Sequence, residues 1–174
     1  MSSTWVVGDI HGCAEELSEL IAQLDLSPDD RFISVGDLYH RGPDPLGVAQ
    51  QLTALPCFEL VLGNHERAML RSAGLVGQAA DGSDALPLPE SDSEWGESVL
   101  LGDGRTPMRG VDLEDARALL ALLAQRPYFL RGECPGEQSW VAVHAGIAPG
   151  LPVEHASLRQ MAAGSSTPST PRRV

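Results

Sequence analysis

Four of the chain's five histidines fall in four short segments, GDIHG (8 to 12), GDLYHRG (36 to 42), GNHE (63 to 66) and HAG (144 to 146). Each segment offers side chains able to hold a metal: Asp9 with His11, then Asp37, Asn64 and His144. Carboxylate, imidazole and amide oxygen suit Mn²⁺ first, with Fe or Zn²⁺ as alternatives. A pair of divalent ions about 3.5 to 4 Å apart needs one carboxylate that reaches both. Asp37 is the candidate bridge, with Asp9 and His11 on the first ion and Asn64 and His144 on the second. A water between two such ions loses its proton near neutral pH and can attack phosphorus in line. Arg41 can grip phosphoryl oxygens with its fork of donors, and His65 can protonate a leaving oxygen.

Each residue also has a plainer reading. One GDxHG alone can be a strand and a turn, whereas four segments of this kind in one chain are poorly explained as ordinary turns. Arg41 could pair with Asp44 at the surface. His40 could be a donor behind the site, a substrate contact, or merely tolerated. His155 reads as a solvent-facing loop residue, and the stretch 89 to 98 as solvated loop, although Trp95 within it could lie near a substrate mouth.

The elements that must carry these segments are legible in the apolar pattern. TWVVGD (4 to 9), RFISVGD (31 to 37) and FELVLGN (58 to 64) read as strands. Between them, residues 13 to 24 set Leu17, Leu20, Ile21 and Leu24 on one helical stripe, and the stretch to Leu55 repeats the spacing with Val48, Leu52 and Leu55. HERAMLRSA (65 to 73) continues the third strand as a helix whose positive end faces the motif. Three βα units in succession imply a largely parallel sheet, whose strand ends bring Asp9, Asp37, Asn64 and His144 to one edge. Gly8, Gly36 and Gly63 let the chain turn there.

Residues 74 to 110 read as an irregular surface excursion. Asp112 then caps a helix over 113 to 125 with Leu119, Leu122 and Leu123 inward, and PYFL (127 to 130) and SWVAVH (139 to 144) read as strands around a GECPGE turn. We expect one domain over 1 to 163 and a disordered tail over 164 to 174, which is small, polar and Pro-containing.

At 174 residues with 43% apolar content the chain can bury a core without disulfides. Cys13, Cys57 and Cys134 form no CxxC pair and read as buried small hydrophobes. No apolar run spans a membrane and no signal pattern opens the chain, so a cytoplasmic protein without membrane partners is expected. A formal charge of −12 argues against nucleic acid, whose phosphates demand a basic surplus. All twelve basic residues are Arg, which says little about function.

The four segments, in this order over roughly residues 4 to 150, resemble the phosphoprotein phosphatase family of calcineurin-like metallophosphoesterases, with signatures GDxHG, GDxxDRG, GNHE and HxG. The resemblance implies an α/β fold of the four-layer αββα sandwich type. It also implies Asp9, His11, Asp37, Asn64 and His144 as metal ligands, Arg41 as a phosphate contact and His65 as general acid. Two departures stand out. The family's protein phosphatases carry Asp at the place of His40, where it orients the general-acid His; His40 cannot serve as an anionic orienter. The similar bacterial diadenosine tetraphosphatases also lack that Asp. The family also adds a metal-binding His in a GHT-like segment downstream of HAG, for which His155, eleven residues past His144, is a poor substitute. The chain thus reads as C-terminally truncated, with an incomplete second sheet and a weakened second metal site.

The expected function is hydrolysis of phosphomonoesters, on a phosphorylated protein as in serine/threonine phosphatases or on a small molecule, by a two-metal-activated hydroxide. A diadenosine polyphosphate hydrolase is the second reading, and a truncated, weakly active or inactive remnant the third.

Overall fold

The structure, a computed structural model, describes residues 2–72, 77–78, 84–85, 111–134, 138–156 and 160–161. The expectations for most of 74 to 110, including Trp95, and for the tail 164 to 174 lie outside the described residues. Three strands, β1 (Thr4–Val7), β2 (Arg31–Ser34) and β3 (Phe58–Leu60), form a parallel sheet in the order β1-β2-β3. The register sets Val7 beside Ser34 and Ser34 beside Leu60, so all three strands end level. This levelling delivers the segments that follow them to one edge. A separate two-residue pairing joins β4 (Gly77–Gln78) to β5 (Asp84–Ala85).

The crossover helices α1 (Ala14–Leu24) and α2 (Pro45–Ala54) pack against each other. Asp44 starts α2 by accepting the N–H of Gly47 at 2.8 Å, ahead of Pro45, whose missing N–H costs nothing at a first helical position. Helix α3 (Asn64–Ser72) follows β3, and α4 (Leu113–Leu123) is capped as expected, Asp112 Oδ1 accepting the N–H of Asp115 at 2.9 Å. The buried stripe of α4 is Ala116, Leu119, Leu120 and Leu123; Leu120, at 0% exposed, takes the inward place expected for the half-buried Leu122. The stripe keeps the spacing of three, four and seven on which one face of a helix recurs.

The four described helices share one core with Phe32, Phe58 and Leu60 on one face of the sheet. On the opposite face, by the strand alternation, stand Val6, Arg31, Ile33 and Glu59. An antiparallel hairpin of β6 (Leu130–Cys134) and β7 (Gln138–Ala142) lies there, with the Arg31 guanidinium 5.0 Å from the Trp140 ring and bonded to Glu59 at 2.6 Å. The first hairpin strand is thus shifted towards the C-terminus from the expected 127 to 130. Pairing runs from Leu130 with Ala142 to Cys134 with Gln138, which sets Gly132 opposite Trp140; a side chain at 132 would strike the indole. Cysteines 13 and 57 are half-buried and Cys134 is exposed, so none is the fully buried hydrophobe expected.

The architecture is a mixed α/β fold with a helical layer, a parallel sheet and a small second antiparallel sheet. An outer helical layer on the second sheet is not among the described residues. Among those residues no helix is long and apolar enough to cross a membrane.

Candidate metal centre

The segments after β1 and β2 are stitched together by their backbones. The N–H groups of Ile10 and His11 both donate to the Asp37 carbonyl, at 3.1 and 2.8 Å, and Gly12 N–H donates to Leu38 O at 2.7 Å. In return Gly42 N–H donates to His11 O at 2.6 Å and Asp44 N–H to Gly12 O at 3.0 Å. The segments hold a bent path that most residues avoid. His11, Asp37 and Arg41 have φ of 50°, 56° and 82°, a left-handed conformation uncommon outside glycine. Such backbone is retained where surrounding bonds over-determine it, and it recurs at functional sites.

The GNHE segment is tied in through a residue that sequence reasoning passed over. Glu66, 0% exposed, accepts the N–H groups of Asp37 (2.7 Å), Leu38 (2.8 Å) and Gly63 (3.0 Å). Burial pushes its carboxyl above the usual range, against the pull of those same N–H groups. Its place beside His65 in the motif was the available signal, but an acidic residue in a first helical turn is ordinarily explained by the helix dipole. HAG is anchored by His144, whose Nδ1–H donates to the Val35 carbonyl at 2.8 Å.

These ties gather all of the expected ligands at the sheet edge. Asp37, 3% exposed, is central. Its Oδ2 lies 3.8 Å from both His11 Nε2 and His65 Nε2, while its Oδ1 lies 3.6 Å from His144 Nε2. Asp9, half-exposed, stands 3.6 Å from His11 Nε2. Two groups of ligand atoms result, His11, Asp37 and His65 in one and Asp9, Asp37 and His144 in the other, and Asp37 is common to both. The sequence placed Asp9 with His11 and reserved His65 for proton transfer; the geometry leaves Asp9 near both groups and sets His65 Nε2 within the first.

The donor set fits a cation. His144, with its Nδ1–H committed to Val35, sets Nε2 2.9 Å from Asn64 Oδ1. An imidazole nitrogen and an amide oxygen turned to one space are ligand types that a divalent ion takes. His11 is held below the ordinary imidazole pKa, by burial first and the Arg41 charge second, so its ring stays neutral and able to ligate. Its Nδ1 is buried without a hydrogen-bond partner among the described residues.

Arg41 does not pair with Asp44, which caps α2. Its guanidinium donates to His11 Nε2 at 2.9 Å and to His65 Nε2 at 3.1 Å, an exposed cation laid across the ligand atoms. His40 is fully buried behind the site, its Nδ1 2.9 Å from His65 Nδ1, so it is not a direct substrate contact. His155 is exposed in a short 3-10 turn (Val153–His155), as its loop reading expected.

Comparison with known proteins identifies the family. The profile of the calcineurin-like phosphoesterase family matches residues 2–150. A bis(5'-nucleosyl)-tetraphosphatase (symmetrical) from Erwinia tasmaniensis is 33% identical over 149 residues, covering 84% of this chain and 45% of the relative. The enzyme of that name from Serratia proteamaculans is 31% identical over 173 residues, covering 97% of this chain and 52% of the relative. The chain thus spans about half the length of the curated relatives it matches. A crystal structure described as a candidate diadenosine tetraphosphatase shares the fold, with a TM-score of 0.56 at 23% identity, covering 89% of this chain and 59% of that one.

Proposed function

The chain belongs to the calcineurin-like phosphoesterase family, and from that premise we propose that its site hydrolyses a phosphoanhydride bond of dinucleoside polyphosphates. Family membership implies divalent metal ions, for which Mn²⁺ is the proposed identity. The observation that carries the reading is the position of Asp37, whose two carboxylate oxygens face separate groups of ligand atoms. The substrate class is supported by the relatives, which are named symmetrical bis(5'-nucleosyl)-tetraphosphatases, and by the histidine at position 40. They favour the second of the expectations raised by the sequence over hydrolysis of phosphoproteins.

Asp9, His11, Asp37, Asn64 and His144 would hold the ions. Ions so held supply a nucleophile of lowered pKa and offset phosphoryl charge. Arg41, always protonated and forked, turns from the two imidazoles to the incoming phosphoryl oxygens. His65 presents Nε2 to the departing oxygen and can protonate it. The fixed loops keep these groups in place before substrate arrives, so little reorganisation is left for the reaction itself.

The reading is tested by comparing kcat/KM for diadenosine tetraphosphate and p-nitrophenyl phosphate in Mn²⁺, with product analysis of the first. Preference for the tetraphosphate with ADP as the nucleotide product supports it. Preference for p-nitrophenyl phosphate would return the phosphomonoester reading. A second reading of His65, as a ligand, is favoured by its place 3.8 Å from Asp37 Oδ2. Loss of bound Mn²⁺ in His65→Ala would establish that role instead of proton transfer.

A further inference from the structure

His40 is a fully buried imidazole that has no task in the reaction so far described. Its ring lies 4.8 Å from that of His65, tilted by 44°, with the two Nδ1 atoms 2.9 Å apart. Two ring nitrogens at that distance share one proton, so one must donate and the other accept.

The neighbouring guanidinium settles which. Arg41 has donors only, so His65 Nε2, 3.1 Å from it, must accept. The proton of neutral His65 then sits on Nδ1 and is given to His40 Nδ1, which places the ring proton of His40 on Nε2. A chain of fixed polarity results, from Arg41 through His65 to His40. It holds the His65 ring with Nε2 aimed outward and Nδ1–H committed inward, whether or not Nε2 carries a proton of its own.

We propose that His40 is the positioning residue of His65: a buried neutral imidazole whose Nδ1 accepts the His65 Nδ1–H and fixes the ring's tautomer and orientation. The role needs an acceptor at that point, not a charge. It rests on the proposed use of His65 as proton donor.

The test pairs a ring measurement with kinetics. Long-range ¹H–¹⁵N correlation on the metal-free protein, labelled at histidine, should show His65 protonated at Nδ1 and His40 at Nε2. Kinetics on diadenosine tetraphosphate in saturating Mn²⁺ then compare His40→Leu, His40→Asn and His65→Ala. His40→Leu removes the acceptor and should lower kcat by about 10²-fold, the lower end of a general-acid effect, with KM unchanged. His40→Asn keeps an acceptor near the Nδ1 position and should recover most of that loss.

His65 protonated at Nε2 instead of Nδ1 in the native protein would overturn the proposal. So would equal losses in His40→Leu and His40→Asn, or an undiminished kcat in His40→Leu beside a crippled His65→Ala. An undiminished His65→Ala would instead remove the proton-donor role itself, leaving the ring measurement to decide the hydrogen bond.

Discussion

The carboxylate of Glu66 accepts the backbone N–H of Asp37 at 2.7 Å from inside the protein, so the carboxylate at the centre of the site is located by another that never faces it. The same Glu66 holds Leu38 and Gly63, which joins the segment after β2 to the one after β3. Positioning by buried backbone bonds is rigid because each N–H would otherwise be left without a partner.

Glu66→Gln turns one acceptor oxygen into a donor amide facing N–H groups. Each buried N–H so deprived costs about 1–3 kcal/mol. We expect a lower urea midpoint and weaker Mn²⁺ binding together. An unchanged midpoint would show that the neighbouring loops hold Asp37 without Glu66.

Gly36 has φ of 101°, and a Cβ there would come within 2.7 Å of the Gly63 Cα. Gly36→Ala combines strained backbone, on the order of 1–3 kcal/mol, with a backbone clash that no rotamer relieves. Thermal unfolding should fall well below that of the native chain. A native-like transition would mean that the two segments are free to part.

Much of this arrangement is legible in the amino-acid sequence. The three βα units are readable because apolar residues recur on the strand and helix periods, and the position of Asp9, Asp37 and Asn64 at strand ends follows from those units. The inward face of α4 is not fully readable. Leu119, Leu120, Leu122 and Leu123 satisfy two overlapping stripes, and only packing within the core selects Leu120 over Leu122. The start of β6 is obscured in the same way, since the room Gly132 leaves for Trp140 depends on a cross-strand register. Glu66 and His40 are harder still, because their partners are distant in sequence and their burial leaves no mark in composition.

Asp30 accepts the N–H groups of Ser27 (2.9 Å) and Ser3 (2.6 Å), which hold its carboxyl below the usual range. A depressed folded pKa adds stability above the unfolded value, about 3.9 for Asp, and that stability is lost as pH falls through the folded pKa. Asp30→Asn should therefore flatten the acid limb of a stability profile between about pH 5 and 2, a small effect at so exposed a site. A variant whose acid limb matches the native one would show that Asp30 contributes nothing to it.

The central claim is that one carboxylate, Asp37, serves both groups of ligand atoms. Mn²⁺ binding isotherms of the native chain, Asp37→Asn, His11→Ala and His144→Ala test it directly. A shared carboxylate predicts two ions in the native chain, weakened binding of both in Asp37→Asn, and chiefly one or the other in the two histidine variants. If Asp37→Asn weakens only one ion, or neither, Asp37 does not bridge and the account of the site is wrong.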